Sequence, residues 1–264
     1  FSFFITLTIL LVLILTIMIS INYQKLFSRI NCGEYYSLVL FAACGMTLMA
    51  SAGNLIMIFV ALETMSVSIY ALAGFHKDRL RSTESALKYF LLGAFASGFL
   101  LYGFSLIYGA TGTLDIVKIG KFISDHPQIL HSKLLFAGLV MMTVGFGFKV
   151  AMVPFHMWTP DVYEGAPTVI TGFMATGVKA AAFAALIRVI LVPLIPLKGD
   201  WTSIMWIAAF LTMTVGNIVA LVQDNIKRML AYSSIAHAGY ILIGFVASTS
   251  LAQAGMLFYL LAYA

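Results

Sequence analysis

The sequence predicts an all-α, polytopic helical membrane protein with about eight or nine transmembrane helices. Three observations carry that reading. Of the 264 residues, 62% are hydrophobic and only 9% are charged, against about 45–50% and about 25% in an ordinary soluble domain. The apolar residues fall into successive runs close to the roughly 20 residues that a helix needs to cross a hydrocarbon core. Most charges sit in the short connections between these runs. The net charge of +5 therefore belongs to membrane-flanking loops, and a nucleic-acid partner is not expected.

The first run, 1–22, is too long for the apolar core of a signal peptide and reads as a span. Runs 35–52 and 54–75 are separated only by "SAGN" and predict a tight antiparallel pair. Run 84–110 follows, and then the longest connection, Thr111 to Ser132, with "TGTLD" and "SDHPQ" as turn chemistry. Runs 133–155, 168–192, 201–222 and 232–249 complete eight spans, and 251–264 begins a ninth. Trp201 opens a span and suits an interfacial belt.

Lys25, Arg29, Lys77, Arg79, Arg81, Lys227 and Arg228 collect on one side of this arrangement, and Lys118, Lys121, Lys133 and Lys198 on the other. The positive-inside rule places the first side in the cytoplasm and Phe1 outside. Residues 1–264 read as a single transmembrane domain. The chain opens without an initiator Met and stops inside "MLFYLLAYA", so it is expected to be part of a longer protein lacking N- and C-terminal helices. Cys32 and Cys44 have neither a metal spacing nor a disulfide framework. No Rossmann glycine fingerprint, P-loop, cysteine cluster or haem motif is present, so no cofactor-binding, metal or redox site is expected in this chain.

Charges within the apolar runs are the informative residues. A charged side chain at a helix centre costs roughly 2.5–3.5 kcal/mol on insertion scales, so such residues mark pathways or paired sites. Glu63, in "NLIMIFVALETMSVSIYALAGF", lies about 13 Å along its helix from Asn54. Ser66 and Tyr70 follow on the same face. A buried structural ion pair is the alternative for this glutamate. Lys179, in "TVITGFMATGVKAAAFAALIRV", is again near mid-membrane. Gly172, Ala175, Thr176 and Gly177 precede it and admit a close neighbour or water. Arg188 lies near the end of that run and can snorkel.

Lys149 lies in "MMTVGFGFKVAMVPFHMWTP". Pro154 offers no N–H to the carbonyl of Val150, so the helix should break beside the lysine. A charge at a broken helix is how many transporters build ion sites; the alternative is a lysine that snorkels to the interface. Lys88 stands four residues after Glu84, a spacing that equally fits a surface ion pair. His237, in "YSSIAHAGYILIGF", fits a proton relay or a packing histidine. A glutamate–lysine pair that is made and broken can load a proton from one side and release it to the other. Spacing alone does not decide whether Glu63 lies near Lys149.

The stretches "GFGFKVAMVPFHMWTPDVYEGAPT", "VALETMSVSIYALAGF", "ESALKYFLLGAFASGFLLYG" and "DNIKRMLAYSSIAHAGYILIG" resemble the antiporter-like membrane subunits of respiratory complex I, the proton-translocating NADH-quinone oxidoreductase. "PDVYEGAPT" and "LLGAFASGFLLYG" resemble its N branch (subunit 2 in mitochondria) more than the L and M branches. The likeness covers about 54–264; the first fifty residues match in character only.

The resemblance implies about fourteen helices in an antiporter-like fold, with two five-helix inverted repeats, broken helices and one half-channel per repeat. Glu63 then matches the family's essential glutamate, Lys149 its broken-helix lysine and Lys179 the central lysine of the next helix. Lys88 matches a further lysine placed near the glutamate, and His237 a histidine on the axis between half-channels. An exit-side lysine would lie in a later broken helix beyond Ala264. The implied function is proton translocation driven by quinone reduction elsewhere in the complex. The chain would be part of an enzyme only as a subunit of that translocase. NADH, FMN, iron–sulfur clusters and quinone would belong to partner subunits. Neighbouring antiporter-like and small membrane subunits and the lipid bilayer would be its partners. The implied location is the bacterial inner (plasma) membrane, or the mitochondrial inner membrane. The alternatives are a subunit of a multisubunit cation/proton antiporter and a non-conducting structural membrane subunit.

Overall fold

The computed structural model of the chain describes residues 1–25 and 32–264. Arg29, counted above among the cytoplasmic basic residues, lies outside the described residues, as do the side chains of Lys25 and Cys32. In chain order the helices are α1 (Ser2–Lys25), α2 (Cys32–Ser51), α3 (Leu55–Ala73), α4 (Leu80–Thr111), α5 (Ile116–Asp125) and α6 (Lys133–Val150). Then follow α7 (Trp158–Gly165), α8 (Thr168–Phe173), α9 (Lys179–Leu191), α10 (Lys198–Leu221), α11 (Ile226–Ala247) and α12 (Ser250–Tyr263). A π-helical turn, Met174–Val178, joins α8 to α9, and the three form one span. Among the described residues, eight helices are long and apolar enough to cross a membrane, and α12 is a shorter apolar helix. The chain is a polytopic helical membrane protein, as its composition predicts. Helices answer the central demand of a bilayer, because each segment satisfies its own backbone N–H and C=O groups.

Caps fix where several helices start. Asn54 accepts from the Ile56 N–H at the head of α3, Asp115 from Val117 and Lys118 at α5, and Asn225 from Lys227 and Arg228 at α11. The cap at Asn225 starts α11 six residues before the apolar run at 232, because the polar first turn "IKRMLA" continues the helix. The long connection 111–132 holds a helix that its turn residues do not announce. In α5, Ile116, Ile119 and Ile123 share one face and are buried. The "SAGN" pair forms as expected. Gly45 lets α2 approach α3 so closely that a Cβ there would collide with Met65 and Ala61.

The fifth span differs from the expected 133–155. Helix α6 ends at Val150, where Ala151 adopts a left-handed conformation (φ 61°) and donates to the carbonyls of Gly147 and Phe148. The break thus precedes Pro154 by a turn and falls beside Lys149. Trp201 also differs: it is fully buried, and its indole donates to the Leu194 carbonyl at 2.7 Å. The turn Ile195–Leu197 folds that carbonyl back under the ring, so the donor needs no interfacial water. The span Thr168–Leu191 runs through the middle of the bundle, with nearly every residue of α9 buried. The outer faces stay apolar, with Phe3, Ile14 and Met18 of α1 and Phe95 of α4 exposed.

Polar contacts gather at both ends of the bundle. Arg81 and Arg228 both reach Glu164, which brings the starts of α4 and α11 to α7. At the opposite end Asn54 and Asp115 form an isolated backbone bridge.

Candidate functional site

Lys149 occupies the last turn of α6 and is 1% exposed. A buried ammonium must recover what water gave it, and here α3 and the aromatic residues do so. Its Nζ donates to Ser66 Oγ at 2.7 Å and to Tyr70 Oη at 3.3 Å. It also lies 5.3, 5.5 and 5.8 Å from the ring centroids of Tyr70, Tyr89 and Phe148, within cation–π range. The Ser66 hydroxyl in turn donates a hydrogen bond to the Leu62 carbonyl at 2.5 Å. The polar stripe of α3 read from spacing is therefore the wall that receives this lysine.

The break itself is closed by neighbours. The Phe148 carbonyl, which already receives the Ala151 N–H at the end of α6, also accepts the indole N–H of Trp158 at 3.0 Å. The Val153 N–H donates to Thr212 of α10 at 3.0 Å. Trp158 stacks on Tyr89 with centroids 4.4 Å apart and planes 8° from parallel. Tyr89, Phe148 and Trp158 thereby roof the lysine. Sequence reading left Trp158 in a connection; a large aromatic with a single donor, soon after a helix-breaking proline, was the available signal.

Glu63, on the same helix as Ser66, is half-buried and accepts a hydrogen bond from Ser97 of α4 at 2.5 Å. No ion pair joins it to Lys149 among the described residues, although its charge is felt at the lysine. It borders instead a shallow groove on the outer surface, lined by Phe41, Phe59, Val60, Thr64, Val67 and Ser68, of which Phe41, Val60 and Val67 are exposed. Ser97, a serine in an apolar run, was not singled out by sequence.

Lys179 is the first residue after the π-helical turn and is 4% exposed. Such turns are frequent at functional sites because they displace one residue from the regular ladder. Its Nζ donates to both the carbonyl and the hydroxyl of Ser234 on α11, each at 2.6 Å. His237 lies three residues further along α11. Its Nδ1 is 2.5 Å from the Tyr259 hydroxyl, and its ring packs on Tyr240 and Tyr263. The structure thus sets Lys179 of α9 against the stretch of α11 that carries His237, and Lys149 of α6 against α3, which carries Glu63. Arg188 donates to the Ala50 carbonyl at 2.9 Å, which caps the end of α2.

Lys88 is placed elsewhere. It pairs with Glu84 at 2.8 Å and Asp161 at 2.9 Å, with its side chain 42% exposed. Arg228 pairs with Asp161 at 2.7 Å and with Glu164 at 3.1 Å, and Arg81 reaches Glu164 at 3.0 Å. Burial alone would raise the Asp161 carboxyl, but hydrogen bonds from Lys88 and Arg228 hold it below the usual carboxylate range. Lys88 therefore belongs to an ion cluster at the basic end of the bundle, and Ser97, nine residues along α4, takes the place beside Glu63 that the resemblance assigns to a lysine. Among the described residues no group of three or more His, Cys, Asp and Glu is arranged to hold a metal.

Comparison with known proteins bears on this geometry. Residues 52–264 match the family described as NADH:quinone oxidoreductase/Mrp antiporter, transmembrane. The chain is 53% identical, over its whole length, to NADH-quinone oxidoreductase subunit N of Trichlorobacter lovleyi, of which it covers 54%. It is similar to a chain of respiratory complex I from Thermus thermophilus, with a TM-score of 0.82 and 44% identity over 99% of this chain and 54% of that one. It is also similar, at 29% identity and a TM-score of 0.85 over 98% of this chain and 52% of that one, to a chain of the membrane-bound sulfane sulfur reductase, an archaeal respiratory membrane complex. The chain spans about half the length of the curated relatives it matches. With this likeness covering every helix that carries the buried lysines, the chain belongs to the NADH:quinone oxidoreductase/Mrp antiporter transmembrane family.

Proposed function

We propose that the chain is part of a proton-translocating membrane subunit of an NADH:quinone oxidoreductase. The observation that carries this reading is the setting of Lys149. Its direct hydrogen-bond partners are hydroxyls, which can donate or accept by rotating, and its other neighbours are aromatic faces. That shell can hold the amine with or without its extra proton, whereas a carboxylate in contact would fix it as an ammonium. Glu63 stands close enough to act on the lysine through its charge without being bonded to it. A change in that glutamate's environment would then tip the lysine's proton one way or the other.

Lys179, with Ser234, is the next station, and His237 with Tyr259 continues the row along α11. Lys88 stands outside the row at its cytoplasmic mouth. The relative's printed name, NADH-quinone oxidoreductase subunit N, supports the same assignment. On this reading the partners are the other membrane subunits of the complex and the lipid bilayer. NADH, FMN, iron–sulfur clusters and quinone reside in partner subunits, and the location is the bacterial inner membrane.

The test uses the full-length protein in its complex, in inverted membrane vesicles. Lys149→Ala and Lys149→Arg should each abolish NADH-driven acidification, because alanine has no site for the proton and arginine does not release one. Acidification at the parental level in Lys149→Ala would end the proposal and leave a non-conducting subunit. The family description also includes Mrp antiporters; sodium-dependent antiport without NADH oxidation would move the assignment to that branch.

A further inference from the structure

We propose that Tyr163 is a proton-transfer residue that joins the Lys149 pocket to the Lys179 pocket through internal water. The proposal rests on the function above and names a residue that neither spacing nor resemblance pointed to.

Tyr163 lies on α7, the short helix that follows the break, and is 2% exposed. Its hydroxyl has no hydrogen-bond partner among the described residues. One turn earlier on the same face, Thr159 is fully buried and its hydroxyl is likewise unpartnered. Buried polar groups in native proteins are satisfied, by water where no protein group serves. Two such hydroxyls on one face make α7 a place where internal water is held.

What lies on either side gives that water a direction. The Tyr163 ring packs edge-on against Trp158, with centroids 6.0 Å apart. Trp158 stacks on Tyr89, whose ring centroid is 5.5 Å from Lys149 Nζ. Helix α7 packs against both α4, which carries Tyr89, and α11, which carries Ser234. Ser234 is the residue that accepts from Lys179. Tyr163 therefore sits on the helix that packs both on the element roofing Lys149 and on the element that receives Lys179. Burial holds that phenol well above its ordinary range, so it keeps its proton between transfers. The helix that carries it is pinned: Thr171 donates to the Tyr163 carbonyl at 3.0 Å, and Arg228 pairs with both Asp161 and Glu164.

In the transfer, one N–H bond breaks at the Lys179 ammonium and one forms at the neutral Lys149 amine. Ser234, Tyr163 and the intervening water each accept one proton as they release another. No hydroxyl is left ionised and no electron moves. The same chain serves the reverse direction.

Tyr163→Phe keeps the ring against Trp158 and removes only the hydroxyl. In the full-length protein within its complex, it should assemble at the parental level and lower NADH-driven proton flux several-fold. The solvent deuterium isotope effect on that flux should rise. Tyr163→His, which restores an exchangeable ring proton, should recover part of the flux. Parental flux and isotope effect in Tyr163→Phe would overturn the proposal. So would a lower flux accompanied by poor assembly and an unchanged isotope effect, which is the signature of a packing role. Lys149→Ala in the same vesicles separates the two claims. If it pumps normally, the proposed function fails; if it is inactive while Tyr163→Phe pumps normally, only the role of Tyr163 fails.

Discussion

Lys149 and Lys88 show how one side chain is put to two uses within a single bundle. Lys88 lies between Glu84 and Asp161 with much of its side chain in contact with solvent. Each carboxylate favours the ammonium, so the residue is a fixed positive charge that helps tie α4 to α7. Lys149 is 1% exposed and is met by Ser66, Tyr70 and aromatic rings. Among the described residues no carboxylate in contact with it fixes the charged form. On the proposed function, the lysine can pass a proton because its partners tolerate both states and the carboxylate acts from a distance.

Several experiments would break or sharpen that contrast. The largest difference is expected between Lys149→Ala, with no measurable NADH-driven proton flux, and Lys88→Ala, which should keep most of it in vesicle acidification assays. Lys179→Ala should resemble Lys149→Ala, because its amine also rests on a hydroxyl and a carbonyl with no carboxylate. Trp158→Ala should come next. It removes the roof of the Lys149 pocket and the donor to Phe148, at about 3–5 kcal/mol for a buried aromatic, read as lower thermal stability of the purified complex together with reduced flux. Ser66→Ala should lower flux several-fold and leave assembly intact, since Tyr70 still receives the lysine.

The smallest effect concerns pH at the ion cluster. Asp161 is held below the ordinary carboxylate range of about 3.9. A depressed folded value means that its contribution is fully present above that range and is lost only as pH falls through the lower folded value. Acid titration of thermal stability should therefore show the α4–α7 tie unchanged between pH 5 and 8 and weakening below about pH 4. A change between pH 5 and 8 in the parent that disappears in Asp161→Asn would contradict the pairing.

Part of the site was legible in the chain. The stripe Glu63, Ser66 and Tyr70 follows from helical spacing, and the break beside Lys149 follows from a proline without an N–H. Both are local facts, set by residues within a few positions of each other. Ser97, Trp158 and Ser234 were not legible, because nothing in an isolated serine or a tryptophan in a connection names its partner. Trp201 was misread for the same reason: its indole donor is satisfied by a carbonyl that only the folded turn brings beneath it. Helix α5 was passed over because turn residues at both ends of 111–132 drew attention from the isoleucine spacing between them.

By itself the sequence determined that this is a polytopic helical membrane protein, where its spans fall, and which side chains carry charge at depth. Those outcomes depend on hydrophobicity summed over about 20 residues and on backbone chemistry, both of which act along the chain. Only the tertiary structure decided that Lys149 meets Ser66, 83 residues away, and that Lys179 meets Ser234, 55 residues away. Only it added Asp161, 73 residues away, to the Glu84 partner that spacing already offered Lys88. Partners of this kind come from different helices, and helix packing, which sequence spacing does not encode, chooses which faces meet.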